Sequence, residues 1–330
     1  MDVNYNQQYL TFGHIDKFKG LLIILIIAGH IKGLTTLETQ SVLYTFHVAS
    51  FFFLPFLFNS DKFIVNNVLK ILKRIYIPYT VFFFIAFVTY SFLYSQEINV
   101  FSLLDSWLIG TSFTLRENIG FSTYWFFPAL SFLLFTLMIF NSLKRIGKNI
   151  FMAVMVFLHF TIGAYSLPYS DLLRHAPFSF YIAFYLFSIG ILIKNILLNI
   201  EIKTSHFITI IIVFIILLTI SYGGLFNLAT PYFPSIVTRP FDFLIRDLIM
   251  ITGFFSLLFI SRYFPFLSIF GKYSLGIYTI HPFIIQALIR MNNSEHSFVL
   301  IIKLVIVSLF SLGLTALIYK LKISKLIYPR

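Results

Sequence analysis

Ten long apolar segments dominate this chain and leave little room for any other kind of structure. Each is close to the length of about 20 residues that a helix needs to cross a bilayer. The segments cover residues 15–36, 41–59, 74–94, 123–141, 150–167, 179–197, 206–226, 243–262, 273–290 and 298–318. Their apolar runs are continuous, whereas the strands of an outer-membrane barrel alternate. We therefore predict an all-α polytopic membrane protein with about ten transmembrane helices.

Charged residues are too few to wet the surface of a soluble globule of this size. They make up 11% of the chain, against about 25% in a typical soluble domain, while hydrophobic residues make up 59%. This excludes soluble enzymes, nucleic-acid-binding domains, disordered proteins, collagens and coiled coils. The chain contains no cysteine, which excludes disulfide scaffolds, thiolate metal sites and a cysteinyl acyl-enzyme. We expect one integral-membrane domain over residues 1–330, without an appended soluble domain.

The basic residues predict how the chain is oriented. Most of the 24 lysines and arginines fall on the same side if the N-terminus is cytoplasmic, as the positive-inside rule requires. We therefore predict cytoplasmic N- and C-termini and a location in the cell (inner or cytoplasmic) membrane. The net charge of +12 fits anionic lipid headgroups and needs no nucleic acid. The half-apolar stretch 101–113 predicts a short interfacial helix outside.

Ionisable side chains at membrane depth are costly and are therefore functional candidates. Of the twelve acidic residues, only Asp247 lies clearly inside a segment, beside Arg246. Four histidines lie inside segments: His30, His47, His159 and His281. Ion-coupled transporters usually carry the ion on buried carboxylates, whereas imidazole can accept and return a proton near neutral pH. The balance favours proton-transfer chemistry over ion-coupled transport.

The first segment places a cation and an imidazole on one helical stripe. Lys19 and His30 are eleven positions apart, which is close to three full turns and a rise of about 16 Å. Asp16 shares this face and can pair with Lys19. This arrangement predicts that one face of the helix carries a cation at the cytoplasmic surface and a base buried in the membrane. The alternative is that Lys19 is an ordinary headgroup anchor and His30 makes a structural hydrogen bond between helices.

Two further histidines are predicted to lie at membrane depth. His47 in the second segment should lie at a depth near that of His30, where both could share a substrate hydroxyl or simply bond each other. His281 precedes Pro282, which cannot donate to the carbonyl of Tyr278 and so leaves an acceptor beside the imidazole; a plain kink is the alternative. His159 has no supporting pattern and is predicted to be a packed core histidine.

Two charged clusters remain. One lies at the cytoplasmic start of the third segment and suits either the phosphates of a cytosolic donor or plain topology anchoring; it consists of Lys70, Lys73 and Arg74. The other lies near the outer surface in the stretch 239–247, where Asp242 and Arg246 are one helical turn apart and suit either a polar acceptor pocket or an interhelical ion pair.

Taken together, four motifs in order resemble those of the membrane acyltransferase-3 family, within it the branch of fucose 4-O-acetylase-like sugar acetyltransferases. Lys19 to His30 is similar to the family's pattern of a basic residue, ten residues and a histidine. Phe46-His47 before a phenylalanine run, the aromatic-Pro-Ala-Leu stretch 124–130, and the stretch 270–282 are similar to its later motifs. Lysine replaces the more common arginine at position 19, and Pro55-Phe56 replaces the usual Ser-Gly.

The resemblance implies transfer of an acetyl or other short acyl group from cytoplasmic acyl-CoA to a hydroxyl of a surface polysaccharide or lipid-linked sugar. It implies acetyl-CoA as donor substrate, no metal, and the lipid bilayer, the acyl-CoA and the glycan acceptor as partners. His30 would act as the general base or relay the acyl group, assisted by His47. The remaining roles are phosphate binding by Lys19, Lys70, Lys73 and Arg74, and acceptor binding by Trp125, Arg246, Asp247 and His281.

Two other classes of function stay open at this point. One is an exporter or flippase of a polysaccharide or lipid-linked sugar, against which the scarcity of buried carboxylates counts only if export is ion-coupled. The other is a non-catalytic scaffold for a glycan-assembly complex.

Overall fold

Apolar runs of this length form helices because a bilayer offers no partner for backbone N–H and C=O groups. The computed structural model describes residues 11–34, 37–94, 99–108, 110, 112–165, 178–199, 203–220, 242–291, 296–321 and 327–328. Of these residues, 89% are helical and none forms a strand. The prediction of an all-helical membrane protein is confirmed.

Fourteen α-helices are numbered in chain order within the described residues. The first seven are α1 (Phe12–His30), α2 (Leu37–Phe58), α3 (Val65–Ile71), α4 (Ile77–Tyr94), α5 (Val100–Leu108), α6 (Ser112–Ile119) and α7 (Phe126–Ser142). The others are α8 (Arg145–Tyr165), α9 (Phe178–Asn199), α10 (Thr204–Ile220), α11 (Asp242–Ser261), α12 (Leu267–Lys272), α13 (Ser274–Met291) and α14 (Ser297–Lys320).

Five helical stretches in the described part of the chain are long and apolar enough to cross a membrane. They are Val65–Leu93, Ser122–Ser142, Arg145–Ile162, Phe243–Ser261 and Phe298–Lys320. Shorter apolar helices cover Leu43–Phe58, Ala183–Asn199 and Thr204–Thr219. Each of the ten apolar segments overlaps one of the longer helices, α1, α2, α4, α7–α11, α13 and α14. These helices make the protein a multi-pass membrane protein.

The third long helix begins earlier than the sequence predicts. Helix α3 starts at Val65, nine residues before the predicted start of the span, and continues into α4 through a π-helical turn, Leu72–Tyr76. Pro78 has no N–H to donate to the carbonyl four residues before it, and the N–H of Ile77 reaches back to the carbonyl of Leu72. The proline thus widens the helix at this point instead of ending it.

The chain forms two compact units. Unit 1 comprises Met1–Leu54, Ile189–Leu228 and Ser235–Ala316, and unit 2 comprises Pro55–Ser188, Ala229–Pro234 and Leu317–Arg330. The core of unit 1 is built around phenylalanine: Phe254 of α11 packs edge-on against Phe18 of α1 at 5.2 Å and Phe53 of α2 at 5.9 Å between ring centroids. In unit 2, Tyr79 of α4 stacks on Phe127 of α7 at 5.5 Å.

Helices α1 and α12 touch through their backbones. A Cβ atom added to Gly20 of α1 would run into the carbonyl of Leu267, and one added to Gly271 of α12 would run into the backbone of Asp16. Only glycine permits so close an approach, as at the small-residue contacts of other membrane helices. This contact holds the first half of α1 firmly within unit 1.

Candidate active site

Helix α1 ends at His30, and the polypeptide leaves the helix through Ile31 in an extended conformation. The His30 side chain is half-buried. Gly29, the preceding residue, lies under the ring of Tyr44 from α2, so close that a Cβ at this position would come within 3.2 Å of Tyr44 Cε2. The end of α1 is therefore packed against α2 in unit 1.

Tyr44 connects the two helices by a hydrogen bond. Its hydroxyl oxygen lies 2.7 Å from Nε2 and 3.1 Å from Nδ1 of His30, so it faces the edge of the imidazole that carries both nitrogens. The tyrosine is only 4% exposed. Because a phenol O–H donates readily to a neutral imidazole nitrogen, this bond leaves Nε2 of His30 as the acceptor.

His47 lies one turn after Tyr44 on α2 and is fully buried. Its Nδ1–H donates to the carbonyl of Leu43 in the preceding turn of the same helix. This bond fixes the neutral tautomer in which the lone pair lies on Nε2. Nε2 of His47 has no hydrogen-bond partner among the described residues, although an unsatisfied buried polar atom costs about 1–3 kcal/mol.

His281 on α13 has the same arrangement. It is fully buried, its Nδ1–H donates to the carbonyl of Ile277 at 3.2 Å, and its Nε2 has no partner in the described part of the chain. Its ring centroid lies 5.6 Å from that of His30. The structure thus brings three predicted site residues together in unit 1: His30, His47 and His281.

Two tyrosines, Tyr44 and Tyr278, also belong to the site and are not among the residues predicted from the sequence. Tyr278 of α13 is packed against His281, with ring centroids 5.5 Å apart. A signal for both was present, because α2 and α13 carry the same short pattern of tyrosine, threonine, any residue and histidine at 44–47 and 278–281. Residues three apart on a helix share one face, so each tyrosine lies beside its histidine.

Such a cluster of imidazoles and phenols is suited to general acid–base chemistry. A general base needs a lone pair within reach of the proton that it removes, and the assigned tautomers of His47 and His281 each present one on a buried Nε2. Within the described residues, no group of three or more His, Asp or Glu side chains is arranged to hold a metal ion.

Lys19 and Asp16 form the predicted ion pair on α1. Lys19 Nζ lies 2.6 Å from Asp16 Oδ1, and both side chains are 30% exposed. A pair with this exposure contributes little to stability, about 0–1 kcal/mol. The pair leaves the other two N–H bonds of the ammonium group able to donate to an anion, and the role of Lys19 in phosphate binding stays a prediction.

The second basic cluster belongs to unit 2. The side chains of Lys70, Lys73 and Arg74 are exposed, and Lys70 Nζ pairs with Asp61 Oδ2 at 3.0 Å. The loop that carries Asp61 is held by Asn141, whose Nδ2 donates to the Asp61 carbonyl at 3.2 Å. These contacts position the cluster within unit 2, and its predicted role with the donor phosphates stays a prediction.

The predicted acceptor-binding residues fall into both units. Trp125 closes a 3₁₀ turn before α7 in unit 2 and is 3% exposed. Arg246 and Asp247 lie on α11 in unit 1 and are buried, at 3% and 7% exposure. The side chain of Asp242, the possible partner of Arg246, lies outside the described residues. The side chains of Trp125, Arg246 and Asp247 are therefore not exposed on the protein surface. Their roles in binding the acceptor stay predictions.

His159 is a packed core histidine, as predicted. Its ring stacks on Tyr185 in unit 2 with centroids 4.4 Å apart, and its Nδ1 lies 2.8 Å from the Tyr185 carbonyl. It therefore differs from His47 and His281, whose Nδ1 atoms bond within their own helices.

Comparison with known proteins agrees with this combination of apolar helices and clustered imidazoles. The family model of the acyltransferase domain of the acyltransferase-3 family matches residues 12–320, from the start of α1 to the end of α14. No curated protein and no solved structure matches the chain. The match covers nearly the whole sequence, and the chain therefore belongs to the acyltransferase-3 family, whose members are membrane acyltransferases.

Proposed function

We propose that the protein transfers an acetyl or other short acyl group from cytoplasmic acyl-CoA to a hydroxyl of a surface polysaccharide or lipid-linked sugar. The observation that carries the proposal is the cluster of His30, His47 and His281 in one unit of a family member. The four motifs in the sequence support placement in the fucose 4-O-acetylase-like branch of the family. The site would lie in the inner (cytoplasmic) membrane.

In the proposed reaction, His30 takes the proton of the acceptor hydroxyl while the hydroxyl oxygen attacks the thioester carbon. The carbon–sulfur bond then breaks, and the imidazolium returns the proton to the sulfur of CoA. Attack by a neutral alcohol is slow, and removal of its proton by a positioned base speeds such steps by about 10²- to 10⁴-fold. A neutral His30 beside two further neutral imidazoles is suited to accept this proton.

The other residues have proposed roles in holding the substrates. CoA phosphates would pair with ammonium or guanidinium groups; the candidates are Lys19 in unit 1 and Lys70, Lys73 and Arg74 in unit 2. His47 would assist His30. The acceptor sugar would be held by an aromatic face and by polar groups, which belong to Trp125, Arg246, Asp247 and His281.

Replacing His30 with alanine should abolish the transfer. We expect the purified protein to release CoA thiol from acetyl-CoA and to acetylate sugar acceptors, and the His30→Ala variant to lose at least about 100-fold of this rate. The released thiol can be measured directly with a thiol reagent because the chain has no cysteine of its own. His159→Ala is the matched control, since that imidazole packs on Tyr185 in unit 2.

The same variant separates the enzyme from an exporter. In cells, His30→Ala should remove O-acetyl groups from the surface polymer and leave the amount of exported polymer unchanged. Loss of export with normal acetylation per sugar would support the exporter and refute the acyltransferase proposal. Absence of thiol release and transfer in the wild-type protein would refute the acyltransferase proposal, and unchanged polymer export in His30→Ala would then favour the scaffold over the exporter.

We also propose that all ten long helices cross the membrane and that both termini are cytoplasmic. The exposed residues Lys62 and Glu117 then lie on opposite sides. In this cysteine-free chain, Lys62→Cys should react only with membrane-permeant thiol reagents in intact cells, and Glu117→Cys should also react with impermeant ones. The reverse pattern would contradict the orientation.

A further inference from the structure

Five titratable rings form a continuous row in unit 1. In order along the row they are His47, Tyr44, His30, His281 and Tyr278, with centroid distances between neighbours of 5.2, 5.6, 5.6 and 5.5 Å. Three helices contribute to the row: α2, α1 and α13. His30 is the central ring, and Tyr44 is the ring that joins it to His47.

The hydrogen bonds of the row give it a direction. His47 and His281 both use Nδ1–H within their own helices, so each offers only a lone pair at Nε2. Tyr44 has a single proton, and the shortest contact of its oxygen in the row is the one of 2.7 Å to His30 Nε2. When Tyr44 donates this proton, the lone pairs of its oxygen remain available to accept another.

Tyr44 also blocks direct approach to His30 Nε2. Its oxygen lies 2.7 Å from that nitrogen, the residue is only 4% exposed, and its ring packs against Gly29. Displacing a ring that is packed between α1 and α2 in this way is costly, because protein interiors are close-packed. The proton of an acceptor hydroxyl would therefore reach the lone pair of Nε2 by way of the oxygen of Tyr44.

We propose that Tyr44 is a catalytic proton relay between the acceptor hydroxyl and His30. This role rests on the proposed acyl transfer. As the acceptor oxygen bonds to the thioester carbon, its proton passes to the oxygen of Tyr44, and the proton of Tyr44 passes to Nε2 of His30. Tyr44 ends the step as a neutral phenol, and His30 as an imidazolium whose proton returns through the oxygen of Tyr44 to the sulfur of CoA when the carbon–sulfur bond breaks.

The first test is Tyr44→Phe in the purified full-length protein, with acetyl-CoA as donor and water as acceptor. We expect kcat for thiol release to fall by about 100-fold, with an unchanged KM for acetyl-CoA. Tyr79→Phe is the matched control, because Tyr79 is also buried and donates to the carbonyl of Ser106 at 3.0 Å in unit 2. This control loses a buried hydrogen bond outside the row of rings. Full kcat in Tyr44→Phe would overturn the relay.

The second test keeps the ring and the hydrogen bond and changes only the acidity of the hydroxyl. Fluorotyrosines with one, two or three fluorine atoms are placed at position 44, and in parallel at position 79. A relay predicts that kcat changes steadily along the series at position 44, by at least about threefold, and stays constant at position 79. A constant kcat at position 44 would mean that Tyr44 only positions His30, and would overturn the relay.

Failure of the proposed function looks different. In that case the wild-type protein releases no thiol, or releases it equally well in His30→Ala. If thiol release depends on His30 and is indifferent to the fluorotyrosine series, acyl transfer stands and only the relay falls.

Discussion

Replacement of His47 with phenylalanine is expected to raise the stability of the protein while it removes acyl transfer. Nε2 of His47 is buried without a partner, at a cost of about 1–3 kcal/mol. Phenylalanine has a similar shape and no polar atom to satisfy. We expect the free energy of unfolding to rise by about 1 kcal/mol and the thiol-release rate to fall by about 100-fold. Thermal unfolding in detergent and the thiol assay measure the two effects.

His159→Phe is the control for the expected gain in stability and loss of activity in His47→Phe. Both substitutions remove an Nδ1 hydrogen bond, but the bond of His47 lies within α2, whereas the bond of His159 to the Tyr185 carbonyl joins α8 to α9. We therefore expect His159→Phe to be less stable than the wild-type protein and to keep its activity. A His47→Phe variant that loses both stability and activity would show that His47 is a structural residue.

Replacement of Gly271 with alanine is expected to disrupt the fold of unit 1. The added methyl group would meet the backbone of Asp16, and a backbone cannot rotate aside as a flexible side chain can. Forcing one methyl group into a packed contact costs about 1–3 kcal/mol and sometimes more. Because His30 is on the same helix as Asp16, we expect lower yield of folded protein and lower activity. Size-exclusion chromatography and thermal unfolding measure the first effect.

Gly313 provides the matched control for this substitution. It lies inside α14, and nothing lies within 4 Å of a Cβ atom added there. Gly313→Ala removes a flexible residue from a helix interior and should stabilise the protein by up to about 1 kcal/mol. Equal tolerance of Gly271→Ala and Gly313→Ala would contradict the tight contact between α1 and α12.

The sequence is sufficient to predict the long helices because a lipid-spanning chain satisfies its backbone either as helices or as a closed barrel, and continuous apolar runs exclude the alternating strands of a barrel. The start of the third helix at Val65 is the main departure. Residues 65–73 include the exposed Lys70 and Lys73, and polar residues at a helix end hide its start from a search for apolar runs.

The candidate site is only partly predictable for a different reason. Each histidine can be found as a polar residue in an apolar run, which identifies His30, His47 and His281 one by one. Which rings meet depends on how α1, α2 and α13 pack, and no local pattern contains that information. Tyr44 illustrates this limit of sequence-based prediction. Its spacing from His47 on α2 is visible in the sequence, but its contact with His30 on α1 depends on how the two helices pack.

The glycine contact between α1 and α12 has a consequence for the lipid around the protein. Transmembrane helices often adapt to a thicker or thinner bilayer by tilting or sliding. Such a movement would shift a buried side chain relative to the two membrane surfaces. Where two backbones touch at Gly20 and Gly271, α1 can do neither without separating from its neighbour. We therefore expect the position of His30 relative to α12 to be set by the protein and to stay the same in membranes of different thickness.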